Sequence, residues 1–120
     1  MNLQKSSEII FRHQHSHFPD PPLTAGLVRV NSLKILGVVM QSNMLMTEHI
    51  NTLVSKVAQN LYALKLLKST GLSQRLLTNV CNATLLSGLT YASVAWWGYT
   101  SFDDRVRLQA VLNKAQRWGF

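Results

Sequence analysis

Between Arg75 and Asp103 the chain carries no charged residue. This stretch, Leu76 to Phe102, ends in Tyr91-Ala92-Ser93-Val94-Ala95-Trp96-Trp97-Gly98-Tyr99, the densest aromatic block in the sequence. A segment this long without a charge is not expected to be a solvated loop. It is expected either to be packed by protein on most sides or to lie in lipid. About 20 apolar residues cross a bilayer core, so length alone permits a span. Composition argues against one. Thr78, Asn79, Asn82, Thr84, Ser87, Thr90 and Ser93 are spread through the run, and each opposes insertion. Basic residues stand at both ends, so charge gives no orientation. The expectation is a buried helix pair at the centre of a small bundle, where a helix apolar nearly all round belongs.

The charge outside this run is lopsided. Twelve Lys and Arg against five Asp and Glu leave a net charge of +7 in 120 residues. Most of the excess lies after Leu61, a bias that fits a phosphate-bearing partner or an anionic surface. At this length one domain with a modest core is expected. The single cysteine, Cys81, lies inside the uncharged run and cannot form an internal disulfide, in keeping with a reducing compartment. Met1 to Arg12 lacks the apolar core of a secretory signal.

The first third reads as a small strand unit. Asn2 to Ser7 is a turn or helix end, and Glu8-Ile9-Ile10-Phe11-Arg12 is β-branched and aromatic enough for a strand. His13 to Leu27 holds all three prolines and reads as a loop. Val28–Val30 and Leu33–Val39 give two further strand-like runs, with Asn31-Ser32 as a tight-turn signal between them. Three short strands bury too little surface to stand alone, so they must lean on helices or on a further partner.

The pattern changes near Met46. Ile50, Leu53, Val54, Val57, Leu61 and Leu64 recur at three- and four-residue spacing, one face of a helix over Thr47–Thr70. Thr47 is the N-cap candidate, and Gly71 suits the left-handed position after the helix. Ser73 opens a second helix that Gly88 or Thr90 is expected to kink or break. A further helix carries Tyr91 to Trp97. Ser101-Phe102-Asp103-Asp104 resembles a capping box before the stripe Val106, Leu108, Val111, Leu112, Ala115, Trp118. Asp103 and Arg107 stand at i and i+4, spaced for an ion pair. The fold class expected is α+β: a small antiparallel strand unit over residues 1–46, then a mainly helical bundle over residues 47–120.

Little here is equipped for catalysis. Asp103 and Asp104 adjoin a helix start, where capping explains them better than acid–base work. His13, His15 and His17 alternate as on one strand face, and imidazoles bind Zn²⁺, but only Asp20 stands near them and prolines follow. A polar loop is the better reading, and no metal site is expected. Tyr91, Trp96, Trp97 and Tyr99 are of the type that stacks on bases, yet inside an apolar run they read as core and core rim. The basic residues are the stronger candidates. Lys65, Lys68, Arg75, Arg107, Lys114 and Arg117 can line one face of a bundle and hold a nucleic-acid backbone; ordinary solubilising charge is the plain alternative. Lys5 reads as a solvated surface lysine.

The order of residues resembles a known family. Asn2-Leu3-x-Lys5-Ser6-x-Glu8-Ile9-Ile10-Phe11 is similar to the palm segment after the catalytic aspartates in reverse transcriptases of non-LTR (LINE-type) retrotransposons. Val30-Asn31-Ser32-Leu33-Lys34-Ile35-Leu36-Gly37-Val38 is similar to the hairpin that grips the primer end in that family. His49-Ile50, Lys56, Leu61-Tyr62-x-Leu64, Gly71-Leu72, Leu89-x-Tyr91-Ala92 and Ala95-Trp96-Trp97-Gly98 are similar to its helical thumb and connection. The resemblance covers nearly the whole chain. It implies a palm end with a primer-grip-like hairpin over residues 1–46 and a thumb-like domain over residues 47–120. Lys5 would be the remnant of the palm lysine, and Leu36 and Gly37 the primer-grip turn. The basic residues named above would track an RNA–DNA or DNA duplex backbone without reading sequence. The family's Tyr/Phe-x-Asp-Asp motif is absent. The expectation is therefore a polymerase fragment, not an enzyme alone, with no cofactor of its own; Mg²⁺ belongs to the full-length family. Missing palm and fingers segments are expected partners, and the resemblance places the chain inside the cell, in cytoplasm or nucleus. Two other readings stay open: a single-pass or peripheral membrane protein using residues 76–102, and a helical interaction domain with no nucleic-acid role.

Overall fold

The long amphipathic stripe sets the architecture. In the computed structural model, which describes residues 2–13 and 15–120, helix α1 runs over Thr47–Ser69 and buries Ile50, Leu53, Val57, Leu61 and Leu64 along one side. It ends as the sequence indicates. Gly71 takes φ +87, the Gly71 N–H donates to the Lys68 carbonyl, and the Leu72 N–H to that of Leu67. These two bonds form a Schellman motif, which glycine permits because it has no Cβ to clash. The start differs from expectation. Met46, not Thr47, occupies the cap and has no side-chain cap bond. The Gln41 side chain fills part of that gap by accepting from the Glu48 N–H at 3.0 Å.

Four short strands precede α1: β1 (Ser7–Glu8), β2 (Val28–Arg29), β3 (Ser32–Ile35) and β4 (Val38–Gln41). They form two separate two-stranded ladders, β1 with β2 in parallel and β3 with β4 antiparallel. The α+β class is thus observed, with one ladder parallel instead of wholly antiparallel. Of the segment expected as a strand over Glu8–Arg12, only Glu8 lies in a ladder, and the Arg12 N–H donates to the Ser42 carbonyl at 2.8 Å. The tight turn is not at Asn31-Ser32: the run Leu33–Val39 folds back on itself at Leu36-Gly37, pairing Ile35 with Val38. Leucine is not a turn-former, so local chemistry reads an apolar strand where the chain makes a hairpin. The hairpin leans on α1, where the Val39 N–H donates to His49 Nδ1 at 3.3 Å.

After α1 come α2 (Gln74–Cys81), a π-helical turn (Asn82–Leu86) and α3 (Ser87–Thr90), one continuous helical path. Gly88 sits inside this path without breaking it. The break comes at Tyr91-Ala92, where Ala92 adopts φ +50. Helix α4 (Ser93–Trp96), a 3₁₀ turn (Trp97–Tyr99) and α5 (Phe102–Arg117) follow. Ser101 caps α5 by accepting from the Asp104 N–H at 3.1 Å. The start of α5 lies beside the start of α1, where the Thr47 hydroxyl donates to Asp104 Oδ2 at 3.1 Å. Their ends also meet, where Lys68 Nζ donates to the Trp118 carbonyl at 2.8 Å. The two long helices are therefore parallel.

Two cores lie along α1. One gathers Val38, Met46, Ile50, Leu53, Trp96 and Leu108 near its start. The other gathers Val57, Leu61, Leu64, Leu77, Cys81, Leu85 and Ala115 near its end. The uncharged run contributes Leu77, Cys81, Leu85 and Trp96 to them, and leaves Leu76, Leu86, Tyr91, Tyr99 and Phe102 exposed, with Val94 99% exposed. The expectation of a run packed on most sides is corrected: it is packed on one. Its polar side chains explain how. The hydroxyls of Thr78, Thr84, Ser87 and Thr90 each donate to the carbonyl four residues back. Hydroxyls spent on their own helix present methyl and methylene surface outward. The chain exposes 8460 Å², about 1,900 Å² more than a compact monomer of its mass.

Candidate nucleic-acid interface

The Leu36-Gly37 turn is built by backbone geometry that most sequences avoid. Leu36 has φ +47 and Gly37 φ +88, the pattern of a type I′ turn. Gly37 suits it; leucine does not, and Leu36 is 85% exposed at the tip. Tyr91 holds the tip from the far side. Its hydroxyl donates to the Leu36 carbonyl at 2.9 Å. A Cβ on Gly37 would stand 3.3 Å from Tyr91 Cε1, so the ring already occupies that side of the turn. The Tyr91 carbonyl in turn accepts from the buried Trp96 indole N–H at 3.0 Å. Between hairpin and helix lies an apolar groove of about 420 Å³, walled by residues that include Val38, Met40, Met46, Tyr91, Ala92 and Ala95.

The second feature is a basic corner where α1 and α5 end. Helix α5 closes as α1 does, with Gly119 at φ +83, its N–H donating to Gln116 and the Phe120 N–H to Ala115. Lys65 Nζ lies 5.2 Å and Lys114 Nζ 4.8 Å from the Trp118 ring centroid. Lys68 Nζ lies 5.6 Å from the Phe120 ring and binds the Trp118 carbonyl. Gln74 Nε2 donates to the Gly119 carbonyl at 2.7 Å, tying the first residue of α2 to the same corner. Two parallel helices bring two negative dipole ends together here, and the three ammonium groups offset them. They also leave an exposed cluster of cations over aromatic faces.

The remaining basic candidates are placed less tightly. Arg75 follows Gln74 and Arg117 precedes Trp118, so both border the corner, and both are exposed. Arg107 lies two turns nearer the start of α5 and pairs with Asp104 at 3.6 Å, not with Asp103 as its spacing indicated. Lys5 ends a 3₁₀ turn beside β1, exposed and outside the corner. The six residues therefore do not form one continuous patch: Lys65, Lys68 and Lys114 converge, Arg75 and Arg117 flank them, and Arg107 serves the opposite end.

Sequence reasoning missed several of these contributors. By sequence Tyr91 reads as core rim and Trp118 as part of an apolar stripe, and Phe120 has no role. One signal was available: Gly71-Leu72 and Gly119-Phe120 are the same glycine-then-apolar ending. His49, named from the sequence only as part of the family resemblance, has a structural role of its own. It is buried, accepts from the Val39 N–H through Nδ1, and stacks edgewise on Trp96 at 5.3 Å. Burial, then the charge of Lys56, pushes its pKa below the usual 6.5. With Nδ1 accepting, a neutral ring carries its proton on Nε2, which is buried without a hydrogen-bond partner. His13 and His15 approach to 5.7 Å between ring centroids, but no group of three metal-ligating side chains gathers among the described residues. Among those residues, too, no helix is long and apolar enough to cross a membrane.

No protein-family model, curated protein or solved structure matches the chain.

Proposed function

We propose that this chain is a palm-end and thumb-like piece of a non-LTR reverse transcriptase that lacks the catalytic aspartates and holds template–primer duplex by its backbone. The observation that carries this reading is the turn at Leu36-Gly37. The family resemblance puts a primer-contacting turn at those two residues, where local sequence chemistry does not, and the hairpin reverses there. The cluster of Lys65, Lys68 and Lys114 adds a surface suited to phosphates, with Arg75 and Arg117 at its border. Such cations fix position on a duplex without reading its sequence. On this reading the chain is no enzyme by itself, and Mg²⁺ belongs with carboxylates it does not carry. Palm and fingers segments would cover part of its exposed apolar side.

Fluorescence anisotropy with an RNA–DNA hybrid tests this. Binding is expected at about 50 mM salt, with a log–log salt slope near −2.7 if three lysines each neutralise a phosphate. That slope means about a 40-fold loss between 50 and 200 mM salt. No binding at the lower salt would overturn the reading. The exposed apolar side of residues 76–102 favours a second reading, a helical interaction domain. Charge reversal at Lys65, Lys68 and Lys114 separates the two: duplex binding that survives it favours the second.

A further inference from the structure

We propose that Tyr91 is a positioning residue that fixes the angle of the Leu36-Gly37 turn to the helical body, so that the turn meets the end of a duplex. This rests on the duplex-binding reading above. Three observations converge on Tyr91. Its hydroxyl binds the Leu36 carbonyl at 2.9 Å, its ring closes against Gly37, and its own carbonyl is held by Trp96. Trp96 belongs to the core near the start of α1, which also takes in Val38 beside the turn, so Tyr91 ties down the tip of a hairpin whose base is already seated on the helical body.

The turn itself carries a cost that fastening alone does not explain. Asparagine would suit the positive φ of residue 36, and a polar side chain would suit its exposure. The chain keeps a leucine there instead, strained and solvent-facing. Strain of this kind persists where the side chain has a contact to make. An apolar knob held at a fixed angle suits the exposed face of a terminal base pair.

The test compares two hybrids bound by the whole chain: one with a recessed 3′ end, and one with both ends closed by loops. The native chain is expected to favour the recessed end by about fivefold, the effect of burying about 40 Å² of apolar surface. Tyr91→Phe keeps the ring and loses the hydroxyl. It is expected to lose that preference while the salt slope stays unchanged, and to speed hydrogen exchange in β3–β4 but not in α1. Leu36→Asn is the companion variant: it should raise Tm by about 3 °C and still lose the preference. Equal binding of both hybrids by the native chain, or a Tyr91→Phe variant that keeps full preference, would overturn the inference. Absence of any hybrid binding instead defeats the duplex reading, and this inference with it.

Discussion

The parallel pair α1–α5 is held differently at its two ends. At the start, one buried carboxylate does most of the joining. Asp104 is 3% exposed; its backbone N–H completes the Ser101 cap, and its side chain binds Thr47 of the neighbouring helix and faces Arg107. At the far end the same task falls to exposed lysines: Lys68 of α1 donates to the Trp118 carbonyl after α5, and Lys65 and Lys114 lie over the Trp118 ring. Both solutions answer one problem. Parallel helices align their dipoles, so like partial charges meet at each end and need an opposite charge between them. The N-terminal solution is dry and specific. The C-terminal one is wet and made of groups that remain free to bind something else. Only the second end can double as a binding surface without unmaking the fold.

The largest effects should come from the two cores, which these ends enclose. Ile50 and Leu61 are both fully buried on the α1 stripe, one in each core. Ile50→Ala and Leu61→Ala should each cost about 3 kcal/mol, measured by urea unfolding. The sites lie about 16 Å apart along the helix. If the ends are independent structural units on one helix, the double variant should cost the sum within about 0.5 kcal/mol. A marked departure from that sum would mean that the distinction between ends is artificial.

That much of the fold was legible because α1 and α5 carry their information locally. The stripe from Ile50 to Leu64, Gly71 after it, and Ser101 before α5 are short-range signals, and each element formed where they indicated. What the sequence did not show depends on long separations. Thr47 looked like a cap because its partner, Asp104, stands 57 residues away. The six basic residues read as one face, but which of them meet depends on α2 through α4 carrying the chain back beside α1: Lys65, Lys68 and Lys114 converge and Arg107 does not. The uncharged run misled for another reason. Absence of charge suggests enclosure, whereas hydroxyls bonded to their own helix let a polar composition present an apolar face.

The next effect down tests the dry end. Asp104→Ala removes the acceptor from the Thr47 hydroxyl and the negative charge from two helix starts, and should cost about 2 kcal/mol. Thr47→Ala alone should cost less, because it leaves Asp104 with Arg107. In a double-mutant cycle the pair should show a coupling of about 1 kcal/mol. A coupling near zero would mean that Asp104 acts only as part of its own helix cap, and the two helix starts would then be neighbours rather than joined.

The smallest effect on stability, and the most telling, belongs to the wet end. Lys68→Met keeps the aliphatic stem and deletes the charge and the bond to the Trp118 carbonyl. The lysine is exposed, so solvent screening limits the loss to about 0.5 kcal/mol at low salt. In about 1 M salt, where charges beyond about 3 Å are screened, native and variant should unfold at nearly the same urea concentration. Asp104→Ala should show no such convergence, because its carboxylate is shielded from the salt. If Lys68→Met instead cost as much as Asp104→Ala and ignored salt, the C-terminal corner would be a structural joint like the other. Its lysines would then be too committed to the fold to hold a phosphate backbone.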